Sequence, residues 1–167
     1  MKILIISDTH GEKGVIKELN KKYNGIVNYS VHCGDSELKY DDPVIKDFYI
    51  VKGNCDFFGK FEDDLHININ DLSVFITHGH RYNVKSHLYM LEEKAQSIGA
   101  DIVCFGHSHL LGVEKINGIL YINPGSLILP RGRKEGTYVI LEEHHNKVQV
   151  QVYNDKHERI DTLIYEK

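Results

Sequence analysis

The feature that most constrains this chain is a series of five short apolar segments, each closing on a loop that carries a polar donor. The segments are Lys2–Ile6, Tyr29–Cys33, Phe48–Lys52, Leu72–Thr77 and Ile102–Phe105. Asp8 and His10 follow the first, Asp35 the second, Asn54 the third, His78 the fourth, and His107 with His109 the fifth. Short apolar runs bounded by turn residues read as buried strands. Ligands and catalytic groups in α/β sheets collect outside the carboxyl ends of strands. One Asp or His after a strand is an ordinary turn residue. Seven oxygen and nitrogen donors after five strands predict one shared metal site.

Between these segments the periodicity changes. Val15, Ile16, Leu19 and Tyr23 recur at helical spacing, and Asn24-Gly25 stops the helix predicted over 14–23. Leu88, Leu91, Ala95 and Ile98 line one face of a second helix that stops at Gly99. The last third is β-rich. Gly112–Ile116 and Ile119–Ile122 flank Asn117-Gly118, a hairpin signal. Segments 137–141, 148–153 and 160–165 read as further strands. In the middle one, Val148, Val150 and Val152 alternate with Lys147, Gln149 and Gln151, which implies one buried face. Strand–helix alternation followed by a meander predicts an α/β fold with a two-sheet core and helices outside. At 167 residues, a single domain spanning 1–167 is expected.

Composition narrows the function. The net charge is −4 with no basic block, so dedicated nucleic-acid binding is not expected. No segment approaches the ~20 apolar residues of a membrane span. Ile3–Ile6 is too short for a signal-peptide core, so a cytoplasmic protein is expected. Cys33, Cys55 and Cys104 form no C-x-x-C pair, and an odd count argues against a disulfide framework.

The donor set has its own chemistry. Seven donors overfill a tetrahedral zinc site and suit two ions sharing one carboxylate. Four imidazoles with two carboxylates are too nitrogen-rich for Ca²⁺ and poor for Mg²⁺. Mn²⁺, placed first, and Ni²⁺, Fe²⁺ or Zn²⁺ fit better. Two divalent cations, two aspartates and a hydroxide leave residual positive charge, which attracts a phosphodiester anion.

The motifs D-x-H, H-C-G-D, G-N-C-D, T-H-G-H, G-H-S-H and N-P-G-S, running from Asp8 to Ser126, resemble those of the calcineurin-like metallophosphoesterases. Within that family the motifs look most like those of the small bacterial and archaeal phosphodiesterases. The resemblance implies a four-layer αββα sandwich of two mixed β-sheets with flanking helices. It implies hydrolysis of a small phosphodiester substrate by in-line attack of a metal-bridging hydroxide at a dinuclear centre. Asp8, His10, Asp35 and His109 would hold the first metal, and Asp35, Asn54, His78 and His107 the second, with Asp35 as bridge. Which of His107 and His109 serves which ion rests on the resemblance alone. The same branch includes the retromer subunit, so the alternative is a catalytically weak protein-binding scaffold that retains the metal site. Small members of the branch self-associate, which makes a homo-oligomer an expectation.

One position departs from the wider pattern. Where most of the family has a histidine in G-N-H-[DE], this chain has Cys55, and a neutral thiol is a weak general acid. His80, Asp56 or a metal-bound water would have to substitute, and activated diesters should be the better substrates. Asp56 is expected to fix a loop amide or a ligand. Asn54, Ser126, Arg131 and Asn123 are candidate substrate contacts, with Arg133 and Lys134 adding charge. Cys33, Cys104 and His32 read as buried packing. His66, His87, His144, His145 and His157 read as solvated or capping residues. Tyr40, Phe57, Phe58 and Tyr82 either stack on a substrate ring or pack.

Overall fold

A strand that is apolar on both faces needs cover on both sides, and β1 (Lys2–Ile6) has it. Ile3 and Ile5 join one core cluster with Val74 and Ile76, whereas Leu4 and Ile6 join another with Ile16 and Leu19. A computed structural model describes residues 1–58 and 60–167. After β1 come α1 (Lys13–Tyr23), β2 (Tyr29–His32), β3 (Phe48–Ile50), β4 (Asp64–Ile69) and β5 (Leu72–Thr77). Then follow α2 (Tyr89–Ser97), β6 (Ile102–Cys104), β7 (Leu111–Ile116), β8 (Ile119–Pro124), β9 (Thr137–His144), β10 (Lys147–Asn154) and β11 (Arg159–Glu166).

Two mixed sheets result. The six-stranded sheet has the order β11-β10-β9-β1-β2-β3, and the five-stranded sheet β4-β5-β6-β8-β7. β1, β2 and β3 are parallel, as are β5, β6 and β8. The sheets face each other through Ile3, Ile5, Val74, Ile76, Ile102, Ile122 and the β10 valines. Burying each valine is worth about 1.5–3 kcal/mol, which attaches the meander to the core. The opposite faces carry the helices. α1 packs through Ile16, Leu19 and Tyr23, and α2 through Leu91 and Ala95 against Phe75, Val103 and Tyr121. The order helix, sheet, sheet, helix is the expected αββα sandwich. Among the described residues no helix is long and apolar enough to cross a membrane.

The hairpin at Asn117-Gly118 forms, with φ of +50° and +85°, as a primed turn requires. Strand β4 is an addition to the sequence reading. Leu65, Ile67 and Ile69 alternate with Asp64, His66 and Asn68, and Asn70-Asp71 turns the chain into β5. His66 is therefore a strand residue, 2.7 Å from the Ser73 hydroxyl across the hairpin. His157 is likewise not simply solvated. Its ring lies 3.0 Å from Glu18 and 3.0 Å from the Tyr138 hydroxyl, tying α1 to the meander. Tyr82 packs: its hydroxyl donates to Asp64 and its ring meets Phe75 edge-on.

Candidate metal centre

Because β1, β2 and β3 run parallel, the loops after them emerge at one edge of their sheet. β5 and β6 do the same in the other sheet. Backbone bonds lace these loops together. The amides of Asp8, His10 and Gly11 donate to the carbonyls of Gly34, Asp35 and Ser36, and the Gly106 amide donates to the His78 carbonyl. Asp8, His10, Asp35, His107 and His109 all hold positive φ, between 43° and 67°. Left-handed backbone at a non-glycine residue is uncommon and clusters where the surroundings enforce it. Glycines at three of these loops allow the close approach: a Cβ on Gly34 would lie 2.7 Å from His78 Nδ1. A Cβ on Gly53 would lie 2.0 Å from Asp35 Oδ1, and one on Gly106 would lie 2.0 Å from Ser7 Oγ.

The side chains converge as donors without protons. His78 Nδ1 donates to the Cys33 carbonyl at 2.7 Å, and His109 Nδ1 donates to the Leu129 carbonyl at 2.8 Å. A carbonyl only accepts, so in each neutral ring the remaining Nε2 is a lone pair. His109 Nε2 faces Asp8 Oδ1 at 3.1 Å, and His78 Nε2 faces Asp35 Oδ2 at 3.3 Å and Asn54 Oδ1 at 3.1 Å. His10 Nε2 lies 3.3 Å from His109 Nε2. Asp8 Oδ2 is satisfied by the Ser7 hydroxyl and the His107 amide, but Asp8 Oδ1 is buried and accepts no hydrogen bond among the described residues. An orphaned carboxylate oxygen ringed by imidazole lone pairs fits a divalent cation. Among the described residues, three triads have donor atoms within 4.8 Å of one another: Asp8-His10-His109, Asp8-Asp35-His78 and His10-Asp35-Cys55.

The electrostatics agree. Burial works to raise the Asp8 carboxyl, but His109, His78 and the Ser7 hydroxyl outweigh it and hold it below the ordinary range. Burial likewise opposes ionisation of Asp35, and His78 with the Cys55 amide overrides it, giving a strongly lowered pKa. The Asp8 carboxylate raises His109 above its usual value. Burial pulls His78 down, yet Asp35 and Asp8 raise it overall. Where two carboxylates are this buried, positive charge is needed between them.

The other predicted residues are placed as follows. His107 lies outside the three triads, its ring 5.0 Å edge-on from His78 and its pKa pushed to about 4 by burial and by His78. Asn54 is exposed beside His78. Cys55 reaches a triad, and burial together with Asp35 pushes its thiol up to about 11. His80 sits 5.4 Å from the His78 ring, held below its usual pKa by burial and by His78. Arg131 is exposed, and its amide donates to the His109 carbonyl. Ser126 is a correction. Its hydroxyl is fully buried, donates to the Asp8 carbonyl at 2.7 Å and accepts from Ile128 and Leu129, so no atom of it is open to a substrate. Asn123 is buried too, spent on Gly106, Ser108 and Gly125. His32 is structural as expected: it accepts from the Gly34 amide and donates to Thr9.

Sequence reading missed Ser7 and Glu37. Glu37 places its carboxylate 3.7 Å from His10 Nδ1. The Ser-Asp and Gly-Asp-Ser-Glu neighbourhoods were the available signal. Asp56 takes its expected role fully, accepting from the amides of Asp35, Glu37 and Gly53 at 2.7–2.8 Å.

An αββα sandwich with histidines and aspartates gathered at one mouth defines the metal-dependent phosphoesterase class. Residues 1–146 match the calcineurin-like phosphoesterase superfamily domain, and the chain belongs to that family. It is 40% identical over 163 residues to the Bacillus subtilis protein named "Probable metallophosphoesterase YsnB", covering 98% of this chain and 96% of that one. It is 30% identical to "Phosphodiesterase MJ0936" of Methanocaldococcus jannaschii, covering 85% of this chain and 100% of the relative. The crystal structure of a predicted phosphoesterase from Streptococcus pneumoniae superposes with a TM-score of 0.95 at 30% identity, covering 99% of this chain and 97% of that one.

Proposed function

We propose that this metallophosphoesterase is a phosphodiesterase working with two divalent transition-metal ions, Mn²⁺ first among them. The observation that carries the reading is the buried, unsatisfied Asp8 Oδ1 facing imidazole lone pairs beside Asp35. Asp8, His10, Asp35 and His109 would hold one ion, and Asp35, Asn54, His78 and His107 the other. Bound ions of this kind supply Lewis acidity and bring the pKa of water toward neutrality.

The chain's own residues do the positioning. Ser7 and the His107 amide occupy Asp8 Oδ2, so that Oδ1 is presented inward. The Cys55 amide occupies Asp35 Oδ1, leaving Oδ2 toward His78. The Nδ1 anchors of His78 and His109 fix tautomer and ring orientation, which raises their basicity as ligands. Asn54, exposed beside His78, would also meet a phosphoryl oxygen. Arg131 adds a cation on the His109 side. Protonation of the leaving group is poorly provided for. Cys55 holds its proton tightly and His80 is neutral at pH 7, so diesters with activated leaving groups are favoured. That a relative is named a phosphodiesterase supports the diester over the monoester.

The test is metal analysis together with hydrolysis of bis(p-nitrophenyl) phosphate by chelator-stripped protein. About two transition metals per chain are expected, with activity restored by Mn²⁺. Metal-independent hydrolysis, or a single tightly bound ion supporting full activity, overturns the reading. Two bound metals without turnover on any phosphodiester would assign the chain to the scaffold class instead.

A further inference from the structure

The loops that carry Asp35 and Asn54 continue outward side by side, joined where the Glu37 amide meets Asp56. Beyond that junction they border an open surface cleft of about 520 Å³ lined by Lys39, Tyr40, Asp41, Phe58 and Lys60. That is the size of a small-molecule site. Phe58 is two residues past Asp56, so the cleft begins within about 7 Å of backbone from a residue that grips the Asp35 loop. Phe57 and Phe58 are 80% and 82% exposed, and neither joins a core cluster. Packing therefore does not explain why this loop carries two large apolar rings. Tyr40 is 59% exposed, and its ring rests 5.5 Å from that of the buried Phe61, which holds it in place. The cleft is thus lined by two aromatic residues and two lysines, with a single aspartate.

From this we infer that the cleft binds the nucleoside portion of a nucleotide-bearing phosphodiester whose phosphate lies at the metal centre. The inference rests on the phosphodiesterase reading of that centre. Aromatic rings stack on any base through its π-face, so binding is tolerant of base identity. Lys39 and Lys60 donate to the ring and carbonyl acceptors of the base, and Asp41 accepts from a ribose hydroxyl or an exocyclic amine.

Two substrates with the same leaving group test it: thymidine 5′-(p-nitrophenyl phosphate) and methyl p-nitrophenyl phosphate. Phe58→Ala and Tyr40→Ala should each raise KM for the nucleoside diester roughly 5- to 100-fold, with kcat and the methyl diester unchanged. Phe58→Tyr should restore the wild-type KM. The chain has no tryptophan, so Phe58→Trp installs a single reporter. Its emission should be quenched saturably by adenosine 5′-monophosphate and not by ribose 5-phosphate. Quenching without hydrolysis of either diester upholds the cleft and removes the phosphodiesterase reading. Hydrolysis of both diesters with equal KM changes overturns the cleft. A Phe58→Ala variant that changes its sedimentation while preserving both KM values also overturns it, and assigns the rings to a contact between copies.

Discussion

Asp8 and His109 meet acceptor to acceptor: Oδ1 lies 3.1 Å from Nε2, while the ring's only proton in the neutral form is given to the Leu129 carbonyl. A cation must sit between them, and without metal that cation is a proton. The Asp8 carboxylate raises His109 above 6.5, and Asp35 with Asp8 does the same for His78 against the pull of burial. Both histidines therefore stabilise the metal-free fold below pH 6.5, and that stability is lost as pH rises through their folded values. Metal must displace those protons, so its affinity should rise with pH above 6.5. Calorimetry at pH 6.5 in two buffers of different ionisation enthalpy should show net proton release on Mn²⁺ binding. A heat independent of the buffer would contradict this.

Gly53 is fixed by contact. A methyl group there would lie 2.0 Å from Asp35 Oδ1 and 2.3 Å from the Asp35 amide nitrogen, and that backbone atom cannot swing aside as a side chain could. Gly53→Ala should displace Asp35, lowering metal content and diester hydrolysis at least tenfold. Gly112→Ala, where no atom of the described residues lies within 4 Å of the new methyl, should keep both. Metal analysis of the two purified variants decides the matter, and equal loading would refute the contact argument.

Asp56 holds three amides with two oxygens. Oδ2 accepts from Asp35 and Gly53, and Oδ1 from Glu37, all within 2.8 Å. Leaving a buried amide unpaired costs about 1–3 kcal/mol. Asp56→Ala should therefore destabilise the fold by about 3 kcal/mol or more in urea unfolding, and should loosen metal binding with it. A loss under about 1 kcal/mol would mean that water replaces the carboxylate.

The candidate centre was legible in the sequence because its donors follow strands directly, and strand ends are fixed by apolar pattern. The layers were legible because β1, β5, β6 and β8 alternate between two buried clusters. β4 escaped notice because Asn68, His66 and Asp64 are poor strand formers, and only pairing with β5 makes the segment extended. Ser126 was misread as a substrate contact because its partner, Asp8, is 118 residues away. The same distance hides the tautomers of His78 and His109, each set by a carbonyl on another loop. Positive φ at five donors was equally hidden, since Asp and His permit it without requiring it.

Cys55 determines which leaving groups the centre can expel. Burial and the nearby Asp35 carboxylate push its thiol to about 11, so at neutral pH it is protonated but a reluctant donor. An imidazolium at that position would donate readily, and general-acid catalysis is worth about 10²–10⁴ in rate. The wild-type rate should then depend steeply on leaving-group pKa across a series of aryl and alkyl diesters. Cys55→His should flatten that dependence and speed alkyl diesters at least tenfold, with little change for p-nitrophenyl diesters. Cys55→Ser should leave the dependence as it is. Because Cys55 shares a donor triad with His10 and Asp35, metal content must be matched before rates are compared. At matched loading, a slope unchanged by the histidine would show that proton delivery does not limit the reaction.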